Sequence, residues 1–331
     1  MASKVLVTGG AGYIGAHTCK ALAHAGFTPV TYDNFSRGHR DFVRFGPLLE
    51  GDLLDTERLT AALQEHQPLA VMHFAAFAYV GESVFEPERY FHNNVQGSLS
   101  LLRAMRACKL DKLVFSSTCA TYGELSVCPV PEEHPQQPIN PYGQSKLMVE
   151  RMLRDFSRAY GLRSIALRYF NAAGADPDAE LGEDHRPEPH LIPLILDVAQ
   201  GRQAHLTILG EDYATPDGSC IRDYIHVSDL ADAHVLALNA LLHGAETTAY
   251  NLGNGKGYSV KEVVACAEAV TSRRVAVEVG ARRPGDPAML VGDARRFIRD
   301  HGWLPRHADL PSIIASAWRW HQGLPKRRGQ T

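Results

Sequence analysis

The chain has 331 residues, 45% of them hydrophobic and 21% charged, with a formal net charge of −3. That is enough for one large globular domain or two fused ones, and the near-neutral balance gives no basic footprint for nucleic acid or anionic lipid. No apolar run reaches the length of a membrane span, the start MASKVLVTGG lacks a signal-peptide core, and six scattered cysteines without a C-x-x-C pair read as reduced thiols of a cytoplasmic protein, most of them small core residues.

The first half alternates short apolar runs with helical stretches. Strands are predicted at Val5–Val7, Pro29–Tyr32, 48–55 (with its turn), Ala70–Phe74 and Lys112–Phe115. Helices are predicted at Ala16–Ala25, Thr56–His66 and Pro87–Ala107. Strands alternating with helices imply βαβ units, and continuous apolar strands fit a parallel sheet covered on both faces. The expected fold is therefore a Rossmann-type doubly wound α/β sheet.

Beyond it, Tyr142–Tyr160 reads as a helix with Val149, Leu153, Phe156 and Tyr160 on one stripe, followed by a strand at Arg163–Arg168. Residues 171–193 are polar and proline-rich, a long loop of the kind that carries function. A dinucleotide-binding domain over 1–170 and a smaller α/β substrate domain over 171–331 are expected, with a segment near 225–245 packing back on the sheet.

VLVTGGAGYIGAH follows the first strand and opens the first helix, with Gly9, Gly12 and Gly15 at three-residue spacing. Glycines let a pyrophosphate approach the backbone, and the helix N-terminus offers it free N–H groups. Asp33 ends the next strand, 24 residues after Gly9. A carboxylate there can bond the adenosine ribose and repel a 2′-phosphate, which favours NAD, or it can cap a turn. Arg37 and Arg40 keep NADP open. In GDLLD, Asp52 and the Leu53 backbone can hold adenine, or Asp52 can start a helix.

NPYGQSK sets Tyr142 and Lys146 one helical turn apart. A free phenol titrates near pH 10, and a neighbouring ammonium favours the phenolate, which can then take a proton from a sugar hydroxyl. KLVFSSTCATYG, beginning at Lys112, ends a strand in hydroxyls and places Thr118 24 residues ahead of Tyr142. Cys119 has no partner histidine and is not read as a nucleophile. His185 and His190 have no third ligand at a recognisable spacing, so no metal site is expected.

TGGAGYIG, FSSTCATYG, NPYGQSK and LRYFNAAGA together resemble the extended short-chain dehydrogenase/reductases, and DYATPDGSCIRDYIHVSDLADAH, YNLGNGKGYSV and RRPGDPA resemble the UDP-glucose 4-epimerase branch of that family. The resemblance runs nearly end to end. It implies bound NAD and reversible inversion at C4 of UDP-glucose and UDP-galactose through a 4-keto sugar. Tyr142 is then the base, Lys146 its partner, and Thr118 the hydroxyl bridging sugar O4 and phenol. The implied cofactor set adds Tyr13, Ile14, Asn34, Phe74, Ala75, Ala76, Asn94, Ser116 and Phe170. The implied substrate set is Asn171, His190, Leu191, Thr207, Leu209, Arg222, Arg283, Asp286 and Leu290, with the two arginines on the diphosphate. A homodimer through the helices at 87–107 and 142–160 is implied as well.

Three positions depart from the family pattern. Ala78 stands where some epimerases carry a phosphate-contacting lysine, His190 where an asparagine is common, and Leu290 where residue size gates N-acetylated sugars. UDP-xylose and UDP-arabinose remain open as alternative substrates, because the loss of C6 leaves C4 unchanged. A net NAD-dependent oxidoreductase is a further rival. A dehydratase is disfavoured, because Cys119-Ala120 replaces the Asp-Glu pair of the dehydrating relatives.

Overall fold

The computed structural model describes residues 3–282 and 286–327. The strands of the first half are β1 (Lys4–Thr8), β2 (Thr28–Asp33), β3 (Leu48–Glu50), β4 (Ala70–His73), β5 (Lys112–Thr118) and β6 (Arg163–Tyr169). They are followed by β7 (Asn171–Ala173), β8 (Leu206–Leu209), β9 (Ile221–His226), β10 (Thr248–Leu252), β11 (Gly257–Ser259), β12 (Val277–Gly280) and β13 (Met289–Leu290). A seven-stranded sheet has the order β10-β6-β5-β4-β1-β2-β3, and every pairing in it is parallel.

Alternation along the strands builds both faces. Val5 and Val7 join Met72, Ile165 and Leu167 under helices Tyr13–His24 and Val227–Leu242, while Leu6 joins Val30, Val71 and Leu113 under the opposite helices. Helix Val227–Leu242 and β10 thus belong to the sheet, although both lie in the second half of the chain. The remainder forms a smaller lobe. In it β11-β9-β13 lie side by side with β7 on β9, and β8 pairs with β12.

The strand order reverses between β4 and β1, the switch point where a doubly wound sheet opens a crevice at the carboxyl ends of its strands. The glycine loop, the end of β4 and the end of β5 all lie at that end.

Several boundaries differ from the sequence expectation. β5 does not stop at Phe115 but continues through Thr118, because each added residue stays in register with β6 and its buried hydroxyl finds a partner. The expected helix over 87–107 contains a π-helical turn at Phe91–Gln96. Within the expected loop, Asn171–Ala173 is a strand and a helix already begins at Leu191. Tyr160 leaves the buried stripe, 54% exposed, with the Arg106 guanidinium over its ring. Of the six cysteines, all free, only Cys19 and Cys119 are buried; the other four are half-buried, so the expectation that most are core residues does not hold.

Candidate active site

The first strand-to-helix turn is shaped by what a side chain would strike. Gly9 holds φ +73°, and a Cβ there would come within 2.5 Å of the Ala75 backbone nitrogen. A Cβ on Gly15 would run into the Gly9 carbonyl. Gly12 is the N-cap of helix Tyr13–His24 and contributes no side-chain cap. The first-turn N–H groups of Tyr13, Ile14 and Gly15 therefore suit an anion. The Tyr13 side chain turns elsewhere, its hydroxyl donating to the Gly174 carbonyl at 2.6 Å.

Asp33 caps the turn: its carboxylate accepts the Ala11 N–H at 3.0 Å and the Phe35 N–H at 2.9 Å. Burial pushes its carboxyl up, and these N–H groups pull it back. It also lines the cleft at the switch point, with Gly9, Gly12, Asn34 and Leu53 on one rim and Phe74, Ala75 and Ala76 on the other. Asp52 is not among the lining residues; it accepts the Asn34 amide at 2.8 Å and the Leu54 N–H at 2.8 Å. Asn94 does not line the cleft either, because its amide is spent on the Phe77 backbone and the Ser145 hydroxyl. Ser36, Gly38, Phe77 and Asn93 do line it and escaped the sequence reading. The first three follow the ends of β2 and β4, a position that could have flagged them.

Both arginines that kept NADP open have carboxylate partners. Arg37 pairs with Glu82 at 2.7 Å and lies over the Tyr79 ring, and Arg40 pairs with Glu50 at 2.6 Å. Glycines that a Cβ would block and a carboxylate at the end of β2 fit a dinucleotide with a free ribose 2′-hydroxyl.

At the end of β5 the hydroxyl run meets helix Pro141–Tyr160. Asn140 caps that helix through the Gly143 N–H at 2.8 Å, which fixes Tyr142 in its first turn. Tyr142, Lys146 and Thr118 are all buried. Burial pushes the Tyr142 phenol up to about 12, and a hydrogen bond with Thr118 works against that rise. Burial lowers Lys146 to about 7, and its ammonium donates to the Ser116 carbonyl at 2.8 Å. Ser116 thus serves Lys146 through its backbone, while its hydroxyl bonds Tyr169. The Thr118 hydroxyl also accepts the Ala120 N–H at 3.2 Å. Burial lifts the Cys119 thiol to about 12, which suits a spectator and not a nucleophile.

The substrate-side residues come from the smaller lobe. Leu290 lies against a cluster in which Phe170, of the expected cofactor set, packs with Cys119, Tyr122 and Val130. Asn171 donates to the Asp223 carbonyl at 2.9 Å. Arg222 and Asp286 form an ion pair, so the predicted diphosphate and ribose ligands are neighbours. Tyr213, whose buried hydroxyl has no hydrogen-bond partner, shares their electrostatic surroundings and was missed. Thr207 and Leu209 lie on the exposed face of β8. Arg283 falls outside the described residues. His190 stands at the N-cap position of helix Leu191–Ala199 without a side-chain capping bond. Sequence spacing offers His185 and His190 no third ligand, but the fold brings Glu183 and Glu188 onto both imidazoles, which removes the ground for expecting no metal there.

Comparison with known proteins agrees with this geometry. Residues 5–253 match the model of the NAD dependent epimerase/dehydratase family. A UDP-glucose 4-epimerase of Rhizobium leguminosarum bv. trifolii is 52% identical over 317 residues, covering 96% of this chain and 97% of the relative. The crystal structure of UDP-glucose 4-epimerase from Brucella ovis in complex with NAD superposes with a TM-score of 0.94 at 51% identity, covering 97% of this chain and 99% of that one. A Stenotrophomonas maltophila UDP-glucose-4-epimerase with bound NAD and formylated UDP-arabinopyranose superposes with a TM-score of 0.95 at 39% identity, covering 98% of this chain and 99% of that one. The chain belongs to the NAD dependent epimerase/dehydratase family and, within it, groups with the UDP-glucose 4-epimerases.

Proposed function

We propose that the chain reversibly inverts C4 of UDP-glucose and UDP-galactose through a 4-keto sugar, with NAD retained across turnovers. The observation that carries this reading is the convergence of Thr118, Tyr142 and Lys146 at the carboxyl end of β5, beside the cleft at the switch point. The N–H groups of the glycine turn would hold the pyrophosphate, Asp33 the adenosine ribose, and Lys146 the nicotinamide ribose. Bound NAD supplies reversible hydride acceptance at C4 and a ring charge that favours the Tyr142 phenolate. Tyr142 takes the O4 proton and later returns it, with Thr118 bridging phenol and sugar. Arg222 would grip the diphosphate once Asp286 turns to the uridine ribose. We assign cofactor binding to residues 1–170 together with helix Val227–Leu242 and β10, and UDP-sugar binding to the rest.

The test is to incubate the purified protein with UDP-galactose and no added cofactor and to follow the sugar by NMR. A UDP-glucose/UDP-galactose mixture is expected. A released keto product would move the chain to the oxidoreductases.

The bound formylated UDP-arabinopyranose of the Stenotrophomonas relative favours UDP-pentoses as second substrates. Leu290, against Phe170, is read as the gate to N-acetylated sugars. UDP-GlcNAc turnover is expected to be far below that of UDP-glucose and to rise in Leu290→Ala; equal turnover of the two sugars by the parent enzyme would remove Leu290 from that role.

The six free cysteines suit a reducing, cytoplasmic setting. Leu99 and Met148 are exposed on helices Gly97–Ala107 and Pro141–Tyr160, which supports a homodimer through this helix pair. Light scattering should give twice the 36.4 kDa chain mass, and the double variant Leu99→Glu/Met148→Glu should give the monomer.

A further inference from the structure

The segment from Glu183 to His190 folds four ligand-type side chains onto one point. The Glu183, His185, Glu188 and His190 donor atoms all lie within 4.8 Å of one another. His185 Nδ1 is 3.1 Å from Glu183 and 3.7 Å from Glu188; His190 Nδ1 is 2.5 Å from Glu183 and 3.2 Å from Glu188. Ligand atoms about 2.0–2.1 Å from a tetrahedral zinc ion stand about 3.3 Å apart. Three of the four separations match this closely, and the His190–Glu183 contact needs only to open.

A second observation points the same way. The Glu183 side chain is 7% exposed, and its Oε1 has no hydrogen-bond partner; neither has His185 Nδ1, although the two atoms face each other. Buried polar atoms that meet at ion-pair distance without a hydrogen bond between them are what an ion would satisfy. The surroundings are built for rigidity. Pro187 and Pro189 stiffen the segment, the Glu188 carboxylate accepts the His190 N–H at 3.0 Å, and the Trp320 indole holds the Glu183 carbonyl at 2.9 Å. The Tyr79 ring stands edge-on to both imidazoles. The other acidic cluster, Asp176, Asp178 and Glu180, is different in kind, because the Lys20 ammonium already sits among all three carboxylates.

We propose that Glu183, His185, Glu188 and His190 form a structural site for one divalent first-row transition ion of the zinc class. Two imidazoles and two carboxylates are a ligand set zinc accepts. The ion would lock the segment that leads into helix Leu191–Ala199 in its fold beside the Tyr79 ring. Its binding would compete with protons for the imidazole nitrogens.

The test uses the full chain with its bound cofactor, freed of metal by a chelator and then titrated with Zn²⁺ by calorimetry and with Co²⁺ in the visible. One equivalent of Zn²⁺ per chain is expected, together with an intense tetrahedral Co²⁺ spectrum and a higher unfolding midpoint with zinc than with chelator. Glu188→Gln and His185→Gln should each weaken binding at least about tenfold while keeping the parent's unfolding midpoint in chelator. If His185→Gln does not fold, the near-isosteric Glu188→Gln decides. No stoichiometric uptake would overturn the proposal and leave a cluster of ion pairs. Uptake that both variants retain would move the metal to another site and overturn it equally.

Discussion

The Thr118 hydroxyl accepts the Ala120 N–H and also works against the rise of the Tyr142 phenol, so it caps a turn while acting on the site. Thr118→Val removes the hydroxyl and keeps the shape. It should lower kcat by about 10²-fold, the scale of losing one positioned donor, whereas Thr118→Ser should keep most of the rate. Tyr142→Phe should cost about 10²–10⁴-fold, the scale of a general acid–base group, with bound NAD content unchanged. Rapid-quench turnover and cofactor absorbance check both, and a Tyr142→Phe enzyme of near-parent rate would remove Tyr142 as the base. Thr118, Tyr142 and Lys146 were legible because motif and spacing fall within short stretches of chain. The state of Lys146 was not. Its lowering to about 7 comes from burial, which local sequence does not carry.

Helix Pro141–Tyr160 announces itself at both ends. Asn140 and Pro141 start it, and Gly161 at φ +72° stops it. What aligns it on the sheet is a buried pair that no local pattern reveals, since the partners sit on different elements. The Glu150 carboxylate receives Arg168 in a two-point contact at 2.9 and 2.7 Å, the Ser117 hydroxyl at 2.5 Å and the Gln136 amide at 3.1 Å. Burial alone would raise the Glu150 carboxyl, but Arg168 outweighs it and holds the group below its ordinary range. Arg168→Met strands the carboxylate and should cost about 3–5 kcal/mol, while Glu150→Met/Arg168→Met should recover much of that. A depressed carboxyl contributes stability that is present above its unfolded value and lost as pH falls through its folded one. The advantage of the parent over the double variant, read from urea unfolding, should therefore shrink on acidification below about pH 4.3, the ordinary glutamate value. A pH-independent difference would assign the effect to packing. The π-helical turn at Phe91–Gln96 was illegible for another reason, because its residues keep a helical pattern while the backbone bonding shifts.

At the scale of the molecule the two lobes meet along residues 174–183. Gly174 accepts the Tyr13 hydroxyl, Lys20 binds Asp176 and Glu180, and Glu183 accepts the Trp320 indole. Ala16 and Phe42 of the first lobe share a core with Leu181 and Trp320. The alternation of strands and helices made the seven-stranded sheet legible. The packing of a segment near 225–245 on that sheet was expected too, but the addition of β10 and this seam depend on contacts between residues more than eighty positions apart. Trp320 is the seam's largest side chain, 3% exposed, and Gly182 lies so close to its ring that a Cβ would overlap it. Trp320→Ala should cost about 3–5 kcal/mol through the cavity it opens. The loop released by that change leads to His190 and Leu191, whereas the glycine turn is held from its other side by Asp33. The loss should therefore fall on the sugar nucleotide: a several-fold rise in KM for UDP-galactose with NAD content preserved. Gly182→Ala, whose Cβ would press on the same ring, should repeat that split. Loss of NAD in step with the KM rise would mean that the seam supports both lobes alike, and an unchanged KM in both variants would mean that it does not position the substrate at all.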